Sequence, residues 1–462
     1  MSGVDSMAAG SNSSGLRRGG FDVFAHHDFW RSATIIAVVL VLQLGGPLVA
    51  VLSYFGLCVW AFFGIRQSIE SLTLSWLLAF LNPGIFESGF GEDVLRWIVI
   101  MAVFVRVGSA YFFSRRRVPY NWIALTLFVL VVSMTSLFTS YARDVSILKL
   151  TMFYLGSSSI LLAFHATRGR VRYWDSWFLA LFAVVVAAGL PLLFFPLGYV
   201  RNGWGFQGIL NHPQAYALFL APITARLTAT VVLHQKRSLA MMALLSMGWI
   251  SLLATRARTG FVALLMGLIV ALVVVAVFRP AVRREILRVL MRPISLAFLL
   301  MLGGGLILNA NLLQREIQAF LLKGDDDMTV AEAFQDSRGR LIERSWNNFE
   351  RNPVLGIGFG VASDPTSFQI RRDPLFGLPV GASVEKGLLL TAILEEVGIV
   401  GSIFFGLMLF MILRPLLRRS PLPMIWMALT AICVNVGESV FFAVGGMGLF
   451  MWLIIGYAGV EA

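Results

Sequence analysis

Charged side chains and cysteines are both scarce in this sequence of 462 residues. Asp, Glu, Lys and Arg make up 13% of the chain, against 58% hydrophobic residues and a mean hydropathy of +0.80. That balance excludes an ordinary soluble globular protein and is typical of a chain that crosses a membrane several times. Both cysteines, Cys58 and Cys433, lie in apolar runs, where a thiol packs as a small hydrophobic group. The sequence therefore excludes a disulfide framework or a cysteine-based metal framework.

Acidic residues are the scarcer charged class, with 25 Asp and Glu against 37 Lys and Arg and a formal net charge of +12. Basic loops on the cytoplasmic side of a membrane protein account for this excess, so we expect no nucleic-acid partner. Residues 1–30 are rich in Gly and Ser, and no small-residue cleavage site follows the first apolar run. We interpret them as a disordered cytoplasmic tail rather than a signal peptide.

Apolar segments long enough to span a membrane occupy most of the remaining chain. We predict an all-α polytopic membrane protein with about 14 transmembrane helices, or about 12 if the Gly-Gly-Pro sequence at 45–47 only kinks a helix. Transmembrane regions at 31–308 and 387–462 enclose a long polar segment at 309–386, all in one membrane domain. The predicted spans are 32–46, 48–65, 68–81, 94–113, 121–137, 145–164, 173–195, 209–233, 238–254, 260–278, 294–308, 387–413, 424–443 and 445–457.

Basic loops fall on one face of the membrane when the chain is threaded through these spans. Arg66, the clusters at 115–117 and 168–172, the run 279–292 and the arginines at 414–419 all lie on the side of the N-terminus. Cytoplasmic loops carry the excess of Lys and Arg, so both termini are predicted to be cytoplasmic. The polar stretch 309–386, which we call the outer segment, then lies on the opposite face.

Three arginines break this charge rule because they lie in short loops of the outer face. Arg201 lies in the sequence GYVRNGWG, and Arg256 and Arg258 lie in TRARTG. Isolated arginines of this kind snorkel to lipid headgroups or pair with loop carboxylates. Three in two short loops favour a site for a multiply charged anion, because guanidinium groups match phosphate oxygens.

Asn211 and His212 come directly before Pro213, at the outer end of a predicted helix. Proline fits the first helical turn, and the free N–H groups of that turn would face the same outer surface. A single histidine is more often a satisfied polar residue than a catalyst. We nevertheless include Asn211 and His212 as candidates for binding the anion.

The outer segment contains one predicted amphipathic helix, from residue 329 to about 351, which Pro353 ends. Asp325, Asp326 and Asp327 precede a capping-box spacing, so we interpret them as helix-start acids rather than metal ligands. Packing onto the membrane domain explains this helix, and a role as a lid over a substrate is compatible with that packing. The glycines at 356–360 lack the strand and helix of a dinucleotide loop and predict a tight turn.

These residues together resemble the O-antigen polymerase and O-antigen ligase superfamily of GT-C-type membrane glycosyltransferases. The resemblance covers residues 201–401, and before them only the hydropathy is similar. Each motif is weak on its own. Their order along the chain, their spacing and their common face of the membrane are together more specific than any single motif. The motifs are RNG at 201–203, GILNHP at 208–213, RTG at 258–260, Arg340 with Trp346 and Phe349, NPVLGIG at 352–358 and LEEVGIVG at 394–401.

The resemblance implies an enzyme of the bacterial inner membrane whose active site faces the periplasm. Such enzymes transfer an oligosaccharide from an undecaprenyl-diphosphate carrier to a saccharide acceptor without a cofactor or a required metal. Arg201 and Arg258 then match the diphosphate-binding arginines, with Arg256 as an extra neighbour. Arg338 and Lys386 are further candidates for the same role. The implied partners are the lipid-linked donor, the acceptor, the bilayer, a chain-length regulator and other envelope-assembly proteins.

One position departs from the family pattern. Many members, notably the ligases, carry a histidine shortly before the LxExG helix, whereas this sequence has Glu385 there and no histidine in the outer segment. We therefore predict Glu385 as the general base and Arg258 as the second catalytic residue; a glutamate that caps the next helix or pairs with Lys386 is the structural alternative. The missing histidine favours a repeat-unit polymerase of O-antigen or exopolysaccharide that inverts the anomeric carbon.

Three rival functions remain open from the sequence. A ligase would transfer the glycan to lipid A-core instead of to another repeat unit. A transporter or flippase for an anionic lipid or solute could use the same arginines, and Arg106, Lys149 and Arg226 lie within predicted spans. Transporters often contain repeated halves, and this sequence shows no convincing internal repeat. A member that has lost catalysis and serves an assembly complex is the third rival.

Overall fold

The computed structural model describes residues 23–87, 89, 91–234, 238–292, 335–372, 377, 379–382 and 384–461. Within them the chain is almost entirely helical, apart from loops and one small antiparallel pair of strands. The helices are α1 His27–Leu42, α2 Pro47–Phe62, α3 Ile65–Ala79, α4 Glu92–Phe113, α5 Tyr120–Thr139, α6 Arg143–Ala166, α7 Val171–Gly189, α8 Pro213–His234, α9 Leu239–Ala254, α10 Arg258–Phe278, α11 Pro280–Leu290, α12 Arg340–Arg351, α13 Leu389–Arg419, α14 Leu422–Cys433 and α15 Met447–Ala458. The strands are β1 Ile370–Arg372 and β2 Pro379–Ala382.

Among the described residues, eight helices are long and apolar enough to cross a membrane, and four shorter apolar helices accompany them. This confirms the prediction of an all-α polytopic membrane protein. Thirteen of the predicted spans coincide with a helix, and the remaining span, 294–308, lies outside the described residues, as do 1–22 of the predicted tail and the acidic cluster at 325–327. α3 is short and buried over almost its whole length, so it belongs to the interior of the bundle.

Proline and glycine set several helix boundaries. Pro47 occupies the first turn of α2, where its missing N–H leaves no bond unmade. Gly46, just before it, has a φ of 89°, a conformation that side chains disfavour. α1 and α2 are therefore two separate helices rather than one kinked helix. Ser238 caps α9 by accepting a hydrogen bond from the Met241 amide.

Large aromatic side chains fill the centre of the bundle. Trp76 of α3 stacks between Phe219 of α8 and Phe450 of α15, with ring centroids 5.6 and 4.5 Å from its own. Trp174 and Trp177 of α7 are fully buried in the same cluster of apolar side chains. Rings packed in this way bury large apolar areas, which makes α3, α7, α8 and α15 the rigid support for the loops at either end.

Loops that the sequence assigns to the outer face meet at one end of the bundle, which we call the outer end. The Asn82 amide donates to the Ile209 carbonyl, and the Phe206 amide donates to the Ala254 carbonyl. Tyr141 donates from its hydroxyl to the Ala362 carbonyl in the outer segment. The two arginine-bearing loops, the loop after α3 and the outer segment thus lie together.

Basic residues gather at the opposite end. Glu70, fully buried at the start of α3, lies 3.5 Å from Arg66 and 3.8 Å from Arg31, and Tyr173 donates to it. α11 lies at this end and exposes the arginines of the basic run. The grouping of loops agrees with the predicted sidedness.

The described part of the outer segment begins with a π-helical turn, Gln335–Gly339, which leads directly into α12. The chain then passes through the glycine turn at 356–360 and the β1–β2 hairpin before entering α13. Asn348 of α12 donates to the carboxylate of Glu395 in α13 at 2.7 Å. The predicted amphipathic helix is present over α12 and packs on the membrane domain, whereas its predicted start at 329–334 lies outside the described residues; Trp346, part of its apolar stripe, is exposed.

The glycine turn inserts its backbone into α13. α13 is interrupted at Gly398, which has a φ of 63° and a ψ of −167°. The amides of Ile357 and Gly358 donate to the carbonyls of Glu395 and Glu396, and the Ile399 amide donates to the Pro353 carbonyl, all at 2.9–3.0 Å. The break frees α13 backbone groups for these bonds, so the outer segment is fixed to the membrane domain through main-chain contacts.

Replacing Gly398 with alanine is expected to destabilise the protein. A Cβ there would lie 2.4 Å from the Val354 carbonyl oxygen, and the positive φ alone costs about 1–3 kcal/mol for a residue with a side chain. The thermal unfolding midpoint in detergent should fall. Gly406 is the matched control, because it lies in the same helix and a methyl group added there would have no atom within 4 Å. Gly406→Ala should leave the midpoint unchanged or raise it, and equal midpoints for the two variants would contradict the prediction.

Candidate functional site

A cavity of about 400 Å³ opens among the loops of the outer end. Arg201, Asn211 and His212 line it, together with Pro83, Val200 and Gln207. The buried Gln207 side chain accepts a hydrogen bond from the Arg201 amide at 2.9 Å, which fixes the loop that carries this arginine. The structure therefore brings three of the residues predicted from the sequence into one cavity.

The surroundings of His212 favour the neutral ring with its proton on Nε2. Its Nδ1 accepts from the Gln214 amide at 3.1 Å, so the ring proton of the neutral side chain lies on Nε2. Burial and the nearby Arg201 guanidinium lower the pKa of His212 below its ordinary value. His212 is thus suited to donate to an anionic oxygen in the cavity and is poorly suited to act as a base.

The other two outer-loop arginines lie at the start of α10. Arg256 lies over the Trp204 ring, 4.1 Å from its centroid, and Trp204 belongs to the loop that carries Arg201. Arg256 also adopts a φ of 53°, a conformation unusual for a residue with a side chain. Arg258 is the first residue of α10, where helix N–H groups favour an anion. The stacking contact joins the two arginine-bearing loops.

A carboxylate that the sequence analysis missed lies between these arginines and the outer segment. Glu438 lies in the loop before α15. Its Oε1 accepts hydrogen bonds from the guanidinium of Arg338 and from the side-chain amide of Gln214. Burial raises the pKa of Glu438 above the ordinary glutamate value, and Arg338 opposes that shift. The sequence did contain a sign of this residue: Glu438 lies inside the predicted span 424–443, and acidic residues within spans are rare unless they have a function.

Arg338 lies between two carboxylates. Its Nη2 bonds to Glu438, whereas its Nη1 is 4.0 Å from Oε1 of Glu385. Arg258 lies close enough to Arg338 for the two cations to repel each other. Arg258, Arg338, Glu385 and Glu438 therefore form one cluster, drawn from α10, the turn before α12, the end of the outer segment and the loop before α15.

Glu385 is the exposed member of this cluster, with 76% of its side-chain surface accessible. Burial would help a glutamate to act as a base, and Glu385 is not buried in this structure. Exposure leaves its carboxylate accessible to a substrate hydroxyl, whereas Glu438 is already engaged by two donors.

Lys386, the neighbour of Glu385, lies in a different environment. Its side chain is 3% exposed and its ammonium lies 2.7 Å from Glu395 and 3.7 Å from Glu396, both in α13. The structure thus separates Lys386 from the Arg201 cavity and gives it a partner in the protein, in place of the predicted diphosphate. Its pairing joins the end of the outer segment to the membrane domain.

Replacing Lys386 with methionine is expected to destabilise the fold by about 3–5 kcal/mol, because it leaves the fully buried Glu395 without its cation. The thermal unfolding midpoint in detergent measures the loss. The double variant Lys386→Met with Glu395→Met should recover much of it, since a buried pair can be replaced by apolar side chains at little cost. If Lys386→Met alone is as stable as the native protein, the ion pair between Lys386 and Glu395 does not hold the outer segment on the membrane domain.

A metal site is not evident in the part of the chain that the structure describes. There, no group of three or more His, Cys, Asp or Glu side chains is placed to hold a metal ion. The acidic cluster at 325–327 lies outside that part.

Comparison with known families found one match, which covers part of the chain. A family model described as O-antigen ligase matches residues 240–385, a range that begins in α9 and ends at Glu385. It includes Arg256, Arg258 and Arg338, whereas Arg201 and His212 precede it. Searches of curated proteins and of solved structures found no match. Through residues 240–385, the chain is therefore similar to the O-antigen ligase family.

Proposed function

We propose that this protein is a polysaccharide repeat-unit polymerase of the bacterial inner membrane. It joins oligosaccharides carried on undecaprenyl diphosphate at the periplasmic face, with both chain termini in the cytoplasm. The observation that carries the proposal is the cluster in which Arg258 and Arg338 lie beside the two carboxylates Glu385 and Glu438, next to the Arg201 cavity. Cations for a leaving diphosphate and a carboxylate for the acceptor thus lie at the same end of the bundle.

The reaction is a single displacement at the anomeric carbon of the donor sugar. Glu385 takes the proton from an acceptor hydroxyl, and the hydroxyl oxygen forms the new bond to that carbon. The bond from the carbon to the diphosphate oxygen breaks with inversion of configuration, and the carrier leaves as the diphosphate anion. Arg201, Arg256 and Arg258 stabilise the charge that develops on the leaving oxygen, and His212 donates a hydrogen bond to it. No step in this scheme uses a metal.

Arg338 has a separate role in this scheme. Glu438 accepts from its guanidinium and also from Gln214, which holds the pair in place, and Arg338 in turn lies 4.0 Å from Glu385. It orients the Glu385 carboxylate toward the acceptor. Glu438 is a positioning residue, because it acts through Arg338.

Transport is the less favoured function, because two of the cations inside the spans have partners within the protein. Arg226 pairs with Asp175 at 2.8 Å, and Arg106 donates to the Phe62 carbonyl at 3.1 Å. Ions satisfied in this way serve the fold and need no transported solute. The polymerase is favoured over the ligase because the outer segment has no histidine.

Reconstitution tests the proposal. The full chain in proteoliposomes is supplied with the lipid-linked oligosaccharide that accumulates in a strain lacking it. A polymerase yields a ladder of products that grow by one repeat unit, with no other acceptor present. A requirement for lipid A-core would identify a ligase, and movement of the oligosaccharide across the bilayer without new glycosidic bonds would identify a flippase. Either result would overturn the proposal.

A further inference from the structure

A second cavity, of about 550 Å³, lies at the outer end, where the chain neighbours of Glu385 contribute to its lining. α4, α6, the β1–β2 hairpin, the start of α13 and the loop before α15 all contribute to its wall. Its volume falls in the range of roughly 300–1,000 Å³ that is usual for pockets that bind small molecules. The residues that line it are different from those of the Arg201 cavity.

The wall of this cavity carries more positive than negative charge. Asp93 is shared by two of its cations, Arg96 at 3.2 Å and Arg371, and Lys386 is paired with carboxylates of α13. Lys149 donates to the Gly360 carbonyl oxygen and forms no ion pair among the described residues. The lining cations are Arg96, Lys149, Arg371 and Lys386, and the lining carboxylates are Asp93 and Glu396.

An aromatic side chain and an apolar floor complete the cavity. The half-buried Trp97 lines it, with Ile100 and Phe442 beneath. Pyranose rings present faces of C–H groups that pack on an indole, while their hydroxyl and carboxylate groups bond to charged side chains. A cavity with both features is suited to a sugar that carries negative charge.

The cavity is adjacent in the chain to both carboxylates of the proposed site. Val384 and Lys386, which flank Glu385, line it, and so does Ser439, which follows Glu438. A saccharide in this cavity would therefore lie beside Glu385, in a cavity whose lining shares no residue with the Arg201 cavity. Two substrates can then meet at one carboxylate, one from each cavity.

We propose that this cavity binds the saccharide acceptor and that the acceptor unit carries a carboxylate, which Lys149 and Arg371 recognise. The inference rests on the proposed function and adds the chemical class of the acceptor. Arg371 is 69% exposed and belongs to the hairpin that covers the cavity. Ion pairs from Arg371 to Asp93 and from Arg372 to Asp144 hold this hairpin.

The test uses the oligosaccharide that accumulates on the carrier in a strain lacking the protein. Mass spectrometry establishes whether this unit contains an acidic sugar. The oligosaccharide is then released from the carrier by mild acid, and half is treated with carbodiimide and borohydride, which convert its carboxylates to alcohols. Binding of both forms to the full chain in lipid nanodiscs is measured by calorimetry.

We expect the acidic form to bind about tenfold more tightly than the reduced form, the difference that one hydrogen bond to a charged group supplies. Lys149→Met should remove this preference and Lys149→Arg should keep it. Arg371→Gln, at an exposed position, should reduce the preference in the same direction. Arg201→Ala should leave binding of the carrier-free oligosaccharide unchanged.

Three results would overturn the inference: a neutral repeat unit, equal binding of the two forms, or loss of the preference in Arg201→Ala with its retention in Lys149→Met and Arg371→Gln. The outcome is separable from that of the proposed function. A charge-dependent site in a protein that makes no glycosidic bond would remove the polymerase proposal alone. A ladder built from a neutral unit would remove the acceptor inference alone.

Discussion

Replacing Arg258 with glutamine is expected to lower the rate of repeat-unit transfer by about 10²–10³-fold, the usual loss when one group that stabilises a developing charge is removed. Arg258 is the first residue of α10, so its cation and the helix N-terminus act on the same anion. Glutamine preserves the polarity of the side chain and removes the charge. The effect should therefore fall on kcat more than on the KM for the donor.

The measurement is the initial rate of ladder formation in the reconstituted assay. Arg258→Lys should retain part of the activity, because it keeps the charge and loses the forked geometry. Arg143, exposed at the start of α6 on the same end of the bundle, provides the control. Arg143→Gln should behave like the native protein. Native rates in Arg258→Gln would remove Arg258 from the catalytic residues.

Replacing Glu385 with glutamine is expected to lower the rate by about 10²–10⁴-fold, the contribution typical of a general base. Glutamine cannot accept the proton of the acceptor hydroxyl. The native enzyme should lose activity as the pH is lowered, because protonation of the base removes its lone pair, and this acidic limb of the kcat/KM profile should be absent from the residual activity of the variant. Donor binding should be unchanged, since the donor diphosphate is proposed to bind in the Arg201 cavity.

Glu438→Gln separates the two carboxylates of the cluster. It weakens the hold on Arg338, so we expect a smaller loss of rate and an acidic limb that remains but moves in pH. Glu343, exposed on α12, provides the control for both variants, and Glu343→Gln should be native-like. If Glu438→Gln loses the acidic limb while Glu385→Gln keeps it, then Glu438 is the base.

The membrane domain is predictable from the sequence because each span is a local property of about 20 residues. So are α12 and the turn at 356–360, where a periodic apolar stripe, a proline and glycines act over short distances. For the site, the sequence predicts that Arg201, Asn211 and His212 share one surface. They lie within twelve positions of each other and in a single loop, so their proximity follows from the chain itself.

The remaining features of the site depend on contacts between distant parts of the chain. Glu438 and Arg338 are separated by 100 residues, and Lys149 and Gly360 by 211. Nothing local to Glu438 distinguishes a carboxylate that holds an arginine from an acid at the end of a span. The sequence suggests Lys386 as an anion ligand because its charge is visible there, whereas its burial against Glu395 is not.

The main-chain bonds between the glycine turn and the broken helix α13 have a consequence for how this enzyme can diversify. They fix the chain at residue 358, and the Lys386 ion pair fixes it again at the other end, on the same helix. The residues between these points form a loop whose ends are clamped side by side, and such loops tolerate changes in length and sequence at little cost. That loop contributes the hairpin over the acceptor cavity. On the proposed function, exchanging it between related chains would alter which glycan is accepted, while the arginines proposed to bind the carrier remain in place.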